Sequence, residues 1–427
     1  MRTFRRWLLR FFVLVVLLVI VAIAAATLLP LDPLKPAVES RLSDYLGRKV
    51  TVASVRLSLT EGPALSLSGM RVSEDPGFGD SDFLSANKVV AKLDPYVLVR
   101  QRRILIREMK VEAPQLQFVR NPDGEWSWDT IGAKTQRAAG DNGASRFAHS
   151  LLTLASNLIP SVSIGGLRHI QVDDATVTLS DKSTGRTAVY KNITLSASVT
   201  PPSHNDPEAA THAAGEFISE STSDSGGELL KADLPFDLMF GRRNGASLFA
   251  KGSVGPGRVE TSNVRIGEFS LNGDLQAERG LPLAGSGQLS ASDLFLPTIN
   301  LSQNVAQALK TNSIGDMSPG TEVASLDTDF QLDKGAVKTS RVRIQQLDGL
   351  GDAVAPEGTF NIDSSLVVDY SGTVTLSPES TTRLKSTSSM LGIIATVLEV
   401  NNRLSIPIIV RGDVRSPQIS IDVARIF

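Results

Sequence analysis

The chain has 427 residues, a formal net charge of −2, four histidines and no cysteine. A near-neutral balance gives no global positive field for nucleic acid. The lack of cysteine removes disulfides, thiolate nucleophiles and thiolate metal sites, and the length suits two or three domains or one elongated body.

Arg2, Arg5, Arg6 and Arg10 lead into Phe11–Leu29, where Thr27 is the only polar residue. That stretch makes roughly 28 Å of helix, close to the ~30 Å hydrocarbon core of a bilayer. Phe11, Leu14, Leu18 and Leu29 mark it as a membrane anchor. The arginines on its N-terminal side place residues 1–10 in the cytoplasm and everything from Pro30 onward across the membrane. The rival reading is a cleaved signal peptide ending at Ala24-Ala25-Ala26. An apolar region longer than the usual ~7–15 residues argues for the anchor. Both readings export the rest of the chain.

Past the membrane, Asp32–Leu46 reads as a helix with Leu34, Val38, Leu42 and Tyr45 on one stripe and Gly47 at its end. From Arg48 the period becomes two. Val50 and Val52 share a face, then Val55 and Leu57 take the other parity, which predicts a bulge near Ala53-Ser54. Further strands carry Leu65 and Leu67, Met70 and Val72, Val89 to Leu93, Leu105 to Val111, and Leu116 and Phe118. The turn Asn121-Pro122-Asp123-Gly124 precedes Trp126 and Trp128. Residues 131–149 read as a linker and Ser150–Ile159 as a short helix. Met109, Val111, Leu116 and Phe118 reappear 61 residues later as Ile170, Val172, Val177 and Leu179, each set broken once (Glu112-Ala113-Pro114 and Asp173-Asp174-Ala175) and each followed by a turn. This suggests a repeat. Ile193 to Val199 alternate. Residues 202–228 lack a period and read as a disordered insertion. Alternation returns at Val264 to Leu271, Leu326 to Leu332, and Phe360 to Leu376, with helices expected near 293–310 and 378–402 and two closing strands after Ile406.

No chemistry-bearing constellation stands out. The histidines (His149, His169, His204, His212) lack metal-ligand spacing, and no HExxH, GxSxG or Walker sequence is present. Neither an enzyme nor a bound cofactor is expected. The informative signal is the excess of one-sided strands, each with an aliphatic and a polar face, as in a half-buried antiparallel sheet. Three helices cannot cover so many strands, so the sheet must curl on itself or hold something apolar.

These residues resemble the AsmA family of bacterial envelope proteins. The resemblance is carried by the anchor and helix up to Leu46-Gly47-Arg48-Lys49-Val50-Thr51-Val52, then Leu65–Val72, Asp75-Pro76-Gly77-Phe78-Gly79, Ala86–Leu98, Ile104–Pro114 and Asn121–Trp128. Ile406-Pro407 to Gly412 and Ser416-Pro417 to Asp422 carry it at the far end. It implies a mainly β chain: one transmembrane helix, an AsmA-like β region over 30–130, and an elongated, curled antiparallel groove continuing over 150–427. It further implies a single-pass inner-membrane protein with its bulk in the periplasm, which holds or transfers phospholipid or another acyl-chain lipid and supports outer-membrane homeostasis. The chain is short for the family, so bridging two membranes is expected to need a periplasmic or outer-membrane partner protein. The apolar parity of the strands puts Leu195, Val199, Phe330, Leu332, Leu366 and Val368 inside the groove. The alternative is a membrane-anchored scaffold assisting outer-membrane protein assembly, with a dry, self-packed interior.

Overall fold

The computed structural model describes residues 35–425 apart from 59–61, 102–104, 132–165, 203–209, 224–226, 244–246, 278–283, 309–319, 334–335, 349, 362–366, 388–397 and 414–416. Phe11–Leu29, the expected linker from 132 onward and the expected helix at 150–159 lie outside the described residues. Among the described residues no helix is long and apolar enough to cross a membrane. The chain divides into two compact units.

The first unit contains α1 (Lys35–Leu46), β1 (Val50–Thr51), β2 (Ser54–Ser58), β3 (Ala64–Ser73), β4 (Asp82–Leu93), β5 (Ile106–Arg120) and β6 (His169–Asp181). Both β1 and β2 pair antiparallel with β3, and the change of parity expected there falls at Ala53, opposite Gly69. Pairing continues antiparallel through β4 to β5. One apolar row therefore crosses the sheet through Val55, Leu67, Val89, Val111 and Val172. On the opposite face run the pairs Lys92–Glu108 at 2.8 Å and Lys110–Asp173 at 2.9 Å. Being only half-buried, such pairs set register more than stability.

The pairing of β5 with β6 is parallel. The paired β5 residues, 108–112 and 115–120, each face the β6 residue 61 positions later, from Glu108 opposite His169 to Arg120 opposite Asp181. The sequence repeat is thus the register of two neighbouring strands. Its two breaks are matching kinks, Ala113 (φ 48°) and Asp174 (φ 54°), which are also 61 apart.

The helix α1 lays Leu42 and Leu46 against Val50, Val52, Val55 and Val72. Gly47 ends it in the left-handed conformation (φ 67°), where glycine carries no Cβ penalty. The next residue, Arg48, ion-pairs with Glu74 at 2.7 Å with both side chains almost fully buried. Arg48 also donates to the Ser127 carbonyl and to Thr130 Oγ1, and lies 4.3 Å over the Phe83 ring. Burial pulls its guanidinium below the ordinary value, against the Glu74 carboxylate, which raises it.

The second unit is an antiparallel meander: β8 (Thr211–Ser221), β9 (Leu230–Arg243), β10 (Ser247–Thr261), β11 (Arg265–Ala277), β12 (Ala284–Leu296), β13 (Thr321–Asp333), β14 (Ala336–Leu347), β15 (Gly351–Asn361) and β16 (Val367–Leu376). Each of these strands pairs with the next. The order ends with β18 (Arg403–Asp413) beside β16 and β19 (Gln418–Ile421) beside β18. The strand β7 (Arg186–Thr200) falls partly in each unit.

Three expectations are corrected. Residues 202–228 are not an unstructured insertion throughout, because β8 lies inside them and pairs along its whole length with β9. Its inward positions include Ala213, Gly215, Ser219 and Ser221, too small to show as a hydrophobic period. The helix expected at 293–310 is shorter: β12 runs on to Leu296, and α2 spans Leu301–Ala308. The helix expected at 378–402 begins as predicted, with α3 at Pro378–Thr387 and Ser377 Oγ accepting the Ser380 N–H at 3.2 Å. Its expected end is strand instead. β17 (Glu399–Val400) turns into β18 through Asn401 and Asn402, both at positive φ, as a tight hairpin requires.

Candidate functional site

In the second unit the cross-strand register sorts side chains onto two faces, because directly paired residues point the same way. One face is apolar from strand to strand: Phe236 and Leu238 on β9, Leu271 and Leu275 on β11, Leu289 on β12, Phe330 and Leu332 on β13, Phe360 on β15, and Val368 and Tyr370 on β16. The other carries Asn272, Gln288, Asp329, Ser340 and Asp369 at neighbouring positions. Along β12 the two faces read as alternately exposed and half-buried residues.

Coverage of the apolar face is uneven. Near one end, α2 and α3 lie over it, and Val305, Leu350, Leu376, Leu384 and Leu404 form a core at 0–2% exposure. Away from that end Leu271, Leu289 and Phe330 remain only half-buried, although they are apolar and belong to the same face.

The floor of this open stretch is low. A single row runs Gly252, Gly273, Gly287, Phe330, Thr339, Gly358, Tyr370. The Phe330 ring lies down over the glycines: a Cβ at Gly287 would come within 2.6 Å of Phe330 Cζ, and one at Gly273 within 3.7 Å. Tyr370 likewise covers Gly358, and Thr339 Oγ1 donates to its hydroxyl at 3.0 Å. Rings laid over glycines give a smooth surface instead of a row of standing side chains.

Of the residues the alternation placed inside, Phe330, Leu332 and Val368 share this face. Leu332 and Val368 lie in one row through Val337 and Phe360. Both are buried, whereas Phe330 is half-buried. Leu366 lies outside the described residues. On β7, Val199 is buried and Leu195 half-buried. The glycine row escaped sequence reasoning, since glycine breaks an apolar period; its signal was glycine recurring within otherwise strand-like segments.

Among the described residues no group of histidines and carboxylates could hold a metal ion. The charged groups pair across strands: Asp329 with Arg341, and Asp369 with Arg411 at 3.0 Å. What the arrangement offers is apolar area backed by a charged, solvated face.

A family model describing the AsmA family matches residues 1–238, more than half of the chain. The chain belongs to the AsmA family. The match takes in all of the described first unit, including the Arg48–Glu74 staple, and reaches β9 of the second. No curated protein matches the chain. Family membership together with the mainly β architecture is consistent with a role in the bacterial envelope.

Proposed function

We propose that this AsmA-family chain is an inner-membrane-anchored periplasmic protein whose apolar sheet face holds the acyl chains of phospholipid and passes them between membranes. The observation that carries the reading is the half-buried stretch of apolar face around Leu271, Leu289 and Phe330, strand after strand. A large exposed apolar surface on a protein marks a binding site. Each acyl CH₂ buried there gains about 0.8 kcal/mol, so roughly sixteen carbons gain on the order of 12 kcal/mol before ordering costs. That holds a lipid without a specific polar site. Because one strand offers much the same surface as the next, the bound chain has no single minimum and is free to move along the sheet.

Lipid extraction tests the proposal. The purified chain should carry phospholipid well above an anchor-only control, and Phe330→Asp should lose it, because an unpaired charge on the path adds several kcal/mol of desolvation. Wild-type protein without lipid overturns the reading in favour of a scaffold for outer-membrane protein assembly.

A further inference from the structure

Among the described residues, two of the most exposed large apolar side chains are close neighbours in the first unit: Tyr96 at 63% and Val99 at 77%. They sit on the connection between β4 and β5, beside exposed Arg100. The connection is fixed. Asp94 N–H donates to the Leu105 carbonyl at 2.8 Å and closes its base. The Asp94 carboxylate accepts the N–H groups of Tyr96 and Val97 at 2.9 and 3.2 Å and pairs with Arg107 at 2.7 Å. Burial pushes that carboxyl up, but these donors outweigh it and hold it below its usual value. A braced turn thus presents a tyrosine and a valine to the outside.

The register says which way the turn points. The Glu39 carboxylate accepts the Val52 N–H at 2.7 Å, and Ser43 Oγ accepts the Val50 N–H at 2.9 Å. Four helical residues, about 6 Å, therefore match two strand residues, about 6.6 Å, so α1 runs along the strands. Its N-terminus points to the end of the sheet where β2 finishes and β4 turns into β5. Lys35 lies one helical turn before Glu39, roughly level with Val55, which shares a row with Leu67 and Val89. Asp94 is five residues, about 17 Å, beyond that row. Pro30–Leu34, the segment between the apolar stretch and α1, spans at most about 17 Å. Fully extended, that segment is long enough to span the distance from the start of α1 to the level of the β4–β5 turn.

We propose that the Tyr96–Arg100 turn is a second membrane contact, in which Tyr96 and Val99 enter the headgroup region of the anchoring bilayer and Arg100 meets its anionic phosphates. The inference rests on the anchor reading of Phe11–Leu29. Tyrosine is suited to this level of a bilayer, with an apolar ring and a wet hydroxyl. Basic residues beside it are drawn to anionic lipid, and the sequence continues Gln101-Arg102-Arg103 with no carboxylate before Glu108. The consequence is orientation: anchor and turn together are two points of attachment, and they hold the first sheet with its strands upright on the membrane.

The absence of native cysteine allows a direct test. Full-length Val99→Cys, carrying an environment-sensitive fluorophore, is reconstituted into vesicles of phosphatidylethanolamine and phosphatidylglycerol. It is compared with Asp80→Cys, an exposed position at the opposite end of the same sheet. The Val99 probe should emit to the blue, resist iodide severalfold better than the Asp80 probe, and be quenched by spin-labelled headgroup-region lipid. A chain that floats with the vesicles while its Val99 probe stays as aqueous as the Asp80 probe overturns this proposal alone. A chain that does not float overturns the anchor reading and this proposal with it.

Discussion

The capped end and the open stretch of the second unit share one face of one sheet and the same kind of residue, and they differ in what lies over them. Leu384 of α3 and Val305 of α2 seal Leu350, Leu376 and Leu404 from water. Leu271, Leu289 and Phe330 have no such helix among the described residues and stay half-exposed. Alternation therefore specifies an apolar face, whereas the placement of two short helices decides which part of it becomes core and which part stays available to a ligand.

The largest effect that sharpens this contrast is expected at the cap. Leu384→Ala should cost about 2–5 kcal/mol in denaturant unfolding, as for other buried leucines, with bound lipid reduced only as far as the fold is lost. Phe330→Asp should do the reverse, with stability changed on the order of 1 kcal/mol or less and copurifying lipid lost. Asp329→Ala, on the polar face, should leave the lipid in place. If Phe330→Asp unfolds the protein as Leu384→Ala does, the open stretch is core and the contrast collapses.

Tyr370→Phe should move stability alone. The ring remains over Gly358 and only the hydrogen bond from Thr339 goes, so unfolding should shift by about 0.5–1.5 kcal/mol without change in bound lipid. The gentlest probe is acid. At the capped end, burial pushes the Asp352 carboxyl up, but Arg403 at 2.6 Å and the Gln346 N–H at 3.1 Å hold it below its ordinary value. A carboxylate lowered on folding adds stability at neutral pH and gives it up as pH falls through its folded value. Wild type should therefore lose stability below about pH 4 more steeply than Asp352→Asn, as read from unfolding midpoints between pH 3 and 7.

Much of the first unit was legible because its residues are large. Val55, Leu67, Val89 and Val111 announce their face, the Ala53 bulge follows from a change of parity, and Gly47 marks a helix end. The repeat was visible as spacing, but spacing alone does not say that its copies lie side by side. In the second unit β10 and β12 were obscured by Gly252, Gly257, Gly285 and Gly287, which keep strand geometry while supplying nothing to a hydrophobic period. Asp293, at positive φ within β12, looks in sequence like a helix cap. The candidate site was partly legible: Phe330, Leu332 and Val368 fall on one face as alternation predicts. The low floor was not, because it depends on which glycine lies beside which ring, and only register tells that.

The parallel pairing of β5 with β6 has a consequence for the order in which the first unit assembles. Antiparallel neighbours meet across short connections, as Leu93 and Ile106 do, whereas β6 must return over 61 residues before its first contact forms. Closing the longer loop costs about 1.4 kcal/mol more in chain entropy by logarithmic scaling. The β1–β5 meander is therefore expected to form first and to present the bare edge of β5 as a template on which β6 is laid late.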